Sequence, residues 1–254
     1  MNALVLSAGG MYGAYQAGAW KELADVFRPD LIVGASIGAV NGWAIAGSCG
    51  PDELIHRWMN LDCAEHYRWK FPRGCWSGLL DSTPLRCAIH EICQAYQPKI
   101  DLAVVLTDLL KLRPRIFRGR EVTREHLIAT TAVFGLFDQV RISGRIYSDG
   151  GLLSVAPLWA AAELGATNAL LIDVLPEAPG TIAKVFVGAA RLLSRFRAQV
   201  PSGLSVVRVA PRSLLGAPLE AIYWNRRNAE EWIRAGERDA AAVKRSIPNC
   251  FERK

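Results

Sequence analysis

Apolar and polar positions follow one another along this chain in blocks that predict strands and helices in turn. Ala3–Leu6 is a short apolar run ending in Ser7-Ala8-Gly9-Gly10. From Gly13 to Phe27, the residues Trp20, Leu23, Ala24 and Phe27 recur at helical spacing, and Pro29-Asp30 then breaks the pattern. Leu31–Val33 reads as a second strand and Ile37–Ala46 as a second helix. No charge falls between Asp30 and Asp52, but Gly34, Gly38, Gly42, Gly47 and Gly50 interrupt the stretch. A buried strand, tight turn and buried helix explain it better than a membrane span. Helices are further predicted over residues 52–61, 84–93, 123–130, 157–164, 182–196 and 220–243, with Thr123 as an N-cap. Strands are predicted over 103–106, 115–117, 170–174 and 206–209. Val140–Ser143 and Arg145–Tyr147 flank Gly144 as a hairpin, and residues 62–82 have no regular period. Alternation of strand and helix predicts an α/β fold with a largely parallel sheet.

Composition narrows the class. With 254 residues, 51% hydrophobic and 21% charged, the chain can build a substantial core, which excludes disordered, fibrous and disulfide-stapled architectures. No repeat, low-complexity tract or linker divides it, so one domain over 1–254 is expected. The net charge of +6 is mild. It fits ordinary solubility and also contact with an anionic surface. Six cysteines, at 49, 63, 75, 87, 93 and 250, form no CxxC pair and read as reduced thiols. The N-terminus lacks the basic and apolar regions of a signal peptide, so a cytoplasmic location is expected. Nothing clusters at metal-ligand spacing, so neither metal nor cofactor is expected.

The strongest chemical signal is Gly34-Ala35-Ser36-Ile37-Gly38, directly between an apolar strand and an apolar helix. A nucleophilic serine needs such a turn to lift its Oγ clear of the backbone, with glycines removing Cβ atoms that would collide. A second loop, Ala8-Gly9-Gly10-Met11-Tyr12-Gly13, again joins strand to helix and leaves amides free for an anion, either an oxyanion or a nucleotide phosphate. The dinucleotide fingerprint would need a glycine where Ala8 stands. Of the four histidines, at 56, 66, 90 and 126, none follows the strand–hairpin region where an α/β-hydrolase would place its base. The best remaining base is Asp149 in Tyr147-Ser148-Asp149-Gly150-Gly151, although on local grounds a plain Asp-Gly turn is the simpler reading.

Together, Ser7–Gly18, Gly34–Gly38 and Asp149–Gly151 resemble the patatin-like phospholipases, lipid acyl hydrolases with a Ser–Asp dyad. The resemblance spans about residues 3–175, with a helical part over about 176–254. It implies a three-layer α/β/α sandwich around a mainly parallel sheet. It also implies Ser36 as nucleophile, Asp149 as base, the Gly9 and Gly10 amides as oxyanion hole, and Gly13, Gly34, Gly38, Gly150 and Gly151 as structural motif residues. The implied reaction is cleavage of fatty-acyl esters of lipids through an acyl-enzyme, without cofactor. Two positions depart from the family loop: Ala8 stands for a glycine and Tyr12 for a basic residue. The departures keep a catalytically weak scaffold open as an alternative, and a nucleotide binder is a more distant one.

Two segments fit contact with an anionic membrane. Residues 66–76 interleave Tyr67, Trp69, Phe71 and Trp76 with Arg68, Lys70 and Arg73. Residues 181–200 carry Lys184, Arg191, Arg195 and Arg197 without an acid, beside an apolar stripe that includes Val185, Leu192 and Phe196. No motif points to nucleic acid. The same segments also fit surface elements packed on their own core.

Overall fold

The computed structural model describes residues 1–61, 67–175, 194, 196 and 199–247. The strands are β1 (Asn2–Leu6), β2 (Leu31–Ala35), β3 (Asp101–Asp108), β4 (Arg113–Arg118), β5 (Val140–Ile142), β6 (Arg145–Ser148), β7 (Asn168–Ile172) and β8 (Ser205–Val209). They form one sheet in the order β5-β6-β3-β2-β1-β7-β8, with β4 also paired to β3. The pairings β8–β7, β7–β1, β1–β2 and β2–β3 are parallel, whereas β4, β5 and β6 join antiparallel. The expected mainly parallel sheet is therefore present, with an antiparallel margin on one side.

Side-chain alternation divides the core in two. Leu4 and Leu6 of β1, Ile32 of β2, Leu102, Val104 and Leu106 of β3, and Leu170 and Ile172 of β7 face one layer. Ala3, Val5, Leu31, Val33, Ala103, Val105, Ala169 and Leu171 face the other. Strands apolar on both faces are what a sheet covered on both sides requires. Helices α1 (Gly13–Leu23), α2 (Ile37–Ala46), α3 (Pro51–Met59), α4 (Thr83–Ala95), α5 (Arg124–Thr130) and α7 (Arg226–Lys244) bury side chains in the first layer. Helix α6 (Leu158–Glu163) covers the second with Trp159, Ala160 and Ala161. The result is an α/β/α sandwich, and the charge-free stretch after Asp30 is a buried strand, turn and helix, as the pattern predicted.

Several boundaries differ from the sequence reading for identifiable reasons. Helix α1 stops at Leu23, and residues 24–27 close it with turns onto Trp20 and Leu23. The predicted helix over 220–243 begins only at Arg226, because the Asn225 side chain accepts from the Asn228 amide and caps it there. Before that, Pro218–Ala221 is a short 3-10 turn. The predicted helix over 182–196 falls outside the described residues except for Ser194 and Phe196. The Phe196 ring packs edge-on against Trp159, 4.9 Å between centroids.

Candidate active site

The sheet itself brings the two motif ends together. Strand β4 runs along one edge of β3 from Ala103 to Asp108. On the other edge β2 pairs with residues 101–105, and β6 takes over at Thr107 and Asp108. Because β2 is parallel to β3 and β6 antiparallel, their C-terminal ends run head to head along the same edge. Ser36 follows the last residue of β2, and Asp149 follows the last residue of β6. The Ser36 hydroxyl donates to Asp149 Oδ2 at 2.6 Å, and both residues are buried.

The elbow is strained as a nucleophilic turn should be. Ser36 sits at φ 54° and ψ −132°, a positive-φ conformation that costs a non-glycine residue about 1–3 kcal/mol. The two flanking glycines let the turn close. A Cβ on Gly34 would lie 2.5 Å from the Ala39 nitrogen and Cα, and one on Gly38 would lie 2.6 Å from the Ser7 carbonyl oxygen. Gly38→Ala should therefore destabilise the fold by about 1–3 kcal/mol and depress turnover. Thermal unfolding measured beside ester kinetics checks both effects, and a variant equal to its parent in each would contradict this close packing.

Two threonines, to which the sequence reading gave no such role, hold the pair in register. Thr130 Oγ1 donates to the Val105 carbonyl at 2.7 Å and accepts the Ser36 amide at 2.9 Å, tying the elbow to β3. Thr107 Oγ1 donates to the Asp149 carbonyl at 2.9 Å, and the Asp149 amide donates to the Ala132 carbonyl at 3.0 Å. No local pattern marks a threonine for this work, which only the pairing of β3 with both motif strands reveals. The Gly151 amide donates to Asp149 Oδ1 at 2.6 Å, leaving Oδ2 for the serine. Burial pushes the Asp149 carboxyl up to about 7, against the opposing pull of the Ser36 and Gly151 hydrogen bonds.

The Gly-rich loop leaves β1 beside the elbow, since Leu6 pairs with Gly34. Gly13 packs against Ile37 and Trp58, and Gly150 against the Val105 carbonyl. The Gly9 and Gly10 amides donate to no other described residue. Ala8 is buried, its amide donating to the Val155 carbonyl. A Cβ on Gly151 would lie only 2.5 Å from the Ala8 Cβ, so the methyl group at one position requires its absence at the other. Tyr12 is a buried strut: its hydroxyl donates to the Ala217 carbonyl at 2.8 Å and its ring meets Trp232 edge-on. Burial raises its phenol to about 12, so it stays neutral.

None of the described histidines touches the pair. His56 contacts Asn60, His90 faces Arg124, and His126 is buried at the start of α5, where its Nδ1 meets Thr123. Among the described residues no group of three or more His, Cys, Asp or Glu side chains could hold a metal ion.

A family model for patatin-like phospholipases matches residues 4–162, well over half of the chain. The chain belongs to the patatin-like phospholipase family. As a member it is a lipid acyl hydrolase. No curated protein matches the chain. Among solved structures it is similar to VipD from Legionella pneumophila, with a TM-score of 0.53 and 11% identity over 97% of this chain and 67% of that one. It is also similar to the type III effector ExoU, with a TM-score of 0.45 and 13% identity over 97% of this chain and 53% of that one. This patatin-like phospholipase thus spans about half the length of the ExoU chain, and the VipD likeness supports the shared fold.

The segment that the sequence marked for membrane contact is only partly exposed: Tyr67 is buried against Phe137 and Tyr223 and belongs to the core, not to the surface. Phe71 is 93% exposed and Trp69 67%, with Trp76 and Leu79 partly so. The Leu79 amide donates to the Gly135 carbonyl in the loop that follows α5. That loop begins near Ala132, whose carbonyl accepts from Asp149. Leu214 and Leu219 are exposed on the segment whose Ala221 carbonyl packs on Gly10. Arg68 and Arg73 are exposed as expected. Lys70 differs: its ammonium is paired with Asp138 at 2.5 Å, so its charge is already matched within the protein.

Proposed function

We propose that this patatin-like phospholipase cleaves lipid acyl esters through a Ser36–Asp149 dyad and an acyl-enzyme. The observation that carries the reading is the buried 2.6 Å hydrogen bond from Ser36 Oγ to Asp149 Oδ2 at the head-to-head ends of β2 and β6. Ionised Asp149 takes the serine proton as Oγ attacks the ester carbonyl. The Gly9 and Gly10 amides, with the N-terminus of α2 behind Ser36, meet the negative charge that develops on the carbonyl oxygen. The protonated Asp149 then gives its proton to the leaving alcohol. Water, deprotonated by the same carboxylate, attacks the acyl-serine and frees the fatty acid. The single-domain reading extends this unit through α7, which packs along α1.

An acyl-enzyme has a kinetic signature. With methanol added, esters of one acid and different alcohols should give one ratio of methyl ester to free acid, because all pass through the same intermediate. A ratio that changes with the leaving alcohol would rule the intermediate out.

The exposed Trp69 and Phe71, beside Arg68 and Arg73, support an enzyme working peripherally at an anionic lipid surface. No helix among the described residues is long and apolar enough to cross a membrane. Burying a Phe side chain fully is worth about 1.5–3 kcal/mol, so partial insertion of two aromatics should be worth roughly a tenfold or greater change in binding. Trp69→Ser combined with Phe71→Ser should weaken co-sedimentation with anionic vesicles by at least that factor and leave turnover of a soluble short-chain ester unchanged. Unchanged vesicle binding would assign the loop to another role.

A further inference from the structure

At the antiparallel margin of the sheet, the register sets Arg113 of β4, Asp108 of β3 and Tyr147 of β6 in one row across three strands. Residues directly opposite one another share a face, and so do residues two apart along a strand, so Arg115 and Arg145 lie on that face as well. Asp108, in the middle of the row, is fully buried and fully engaged. Its Oδ2 pairs with Arg145 at 3.0 Å, and its Oδ1 accepts from the Leu110 and Lys111 amides. Arg113 and Arg115 are left over. Arg113 is exposed and Arg115 half-buried, and neither side chain has an ion pair or hydrogen bond among the described residues. Beside them the Tyr147 ring is buried edge-on against Phe117, 5.6 Å between centroids. Its hydroxyl makes no hydrogen bond among the described residues, yet it is not sealed from solvent. Burial holds this phenol above its ordinary value while Arg115, Arg145 and Arg113 pull the other way, so it keeps its proton under the influence of all three guanidiniums.

We infer that this face binds a phosphate monoester, held by the Arg113 and Arg115 guanidiniums with the Tyr147 hydroxyl donating to a further phosphate oxygen. Arginine can only donate, and a protonated phenol donates beside it, so the occupant must be rich in acceptors. With Arg145 and Asp108 matched to each other, the unmatched charge is that of two arginines. A monoester carries about −1.5 to −2 at pH 7 and offers three acceptor oxygens. A phosphodiester or a carboxylate brings a single negative charge and would leave one guanidinium unanswered. The planar guanidinium also suits the paired oxygens of a phosphate. The site uses neither Ser36 nor Asp149, so it stands or falls independently of the dyad. Its ligand is either a soluble phosphorylated metabolite or a lipid whose headgroup is a phosphate monoester.

The test compares monoester with diester on the Ser36→Ala protein, so that no ester is consumed. One arm measures calorimetric binding of glycerol 3-phosphate against glycerophosphocholine. The other measures co-sedimentation with phosphatidylcholine vesicles carrying either phosphatidic acid or phosphatidylglycerol at matched surface charge. The monoester should bind at least roughly tenfold more tightly than the diester in one arm or both. Preference in the first arm names a soluble ligand, preference in the second alone names a lipid, and either upholds the site. Arg113→Gln combined with Arg115→Gln keeps the side-chain stems and should weaken monoester binding at least roughly 30-fold, erasing the preference. Tyr147→Phe keeps the ring contact with Phe117 and should weaken it about fivefold, the value of one hydrogen bond. The comparison in the Ser36→Ala protein decides even if these variants fail to fold. No preference for the monoester in either arm overturns the inference. So does a folded double variant, or a folded Tyr147→Phe protein, that binds the monoester as tightly as its parent.

Discussion

Ser36→Ala and Asp149→Asn should each lower kcat on a short-chain ester by a factor on the order of 10³ or more with the fold intact. The expectation follows from geometry. The serine hydroxyl has one buried acceptor, Asp149 Oδ2 at 2.6 Å, and no described histidine is in contact with it. An asparagine at 149 can still fill the space but cannot take the proton. The double variant should be scarcely slower than either single one, because the two residues act as one unit. Replacement of His56, His90 or His126 in turn should leave most of the activity. Near-parental turnover in Asp149→Asn would remove the base from the mechanism, and a histidine variant as slow as Ser36→Ala would name a different one.

The second large effect is on pH. Burial holds the Asp149 carboxyl at about 7, and only the carboxylate can act as base. The kcat/KM of the enzyme should therefore rise about tenfold per pH unit below 7 and level off above it. Stability should move the other way. Asp149 in the unfolded chain ionises near 3.9, so between about 4 and 7 unfolding releases a proton that the folded protein retains. The stabilisation is complete below the unfolded value and is lost as pH rises through about 7. The gap corresponds to at most about 4 kcal/mol. Asp149→Asn escapes this cost but gives up one of the two hydrogen bonds to Ser36 and Gly151, worth about 1 kcal/mol. It should therefore melt higher than its parent at pH 8, by up to about 10 °C, and no higher at pH 4. Equal melting temperatures at pH 8 would show that Asp149 ionises without strain in the fold.

Local sequence carried much of this architecture. The run Leu31–Ala35, the turn at Ser36 and the charge-free helix after it are each specified by neighbours in sequence, and so is the hairpin around Gly144. The pairing of Ser36 with Asp149 is different in kind. It depends on β6 entering antiparallel on the edge of β3 that β2 has vacated, a relation between segments more than a hundred residues apart that no periodicity encodes. Motif resemblance supplied that partnership where spacing alone favoured an ordinary Asp-Gly turn. Thr107 and Thr130 were silent for the same reason, since their hydroxyls matter only once three strands are assembled. Tyr12 looked like a lost cation beside the oxyanion loop, whereas its hydroxyl and ring fasten that loop to Ala217 and Trp232. The start of α7 was missed because Asn225 caps a helix inside a stretch whose apolar residues continue the period on both sides. The basic stretch over 182–193 lies outside the described residues.

The most direct test is the rate at which a fluorophosphonate modifies the protein, read by intact mass and peptide mapping at pH 8 in the parent and in Asp149→Asn. The Ser36–Asp149 dyad predicts a single adduct on the Ser36 peptide, formed at least roughly 100-fold more slowly when Asp149 is replaced. An adduct on another residue, or equal rates in the two proteins, would contradict it.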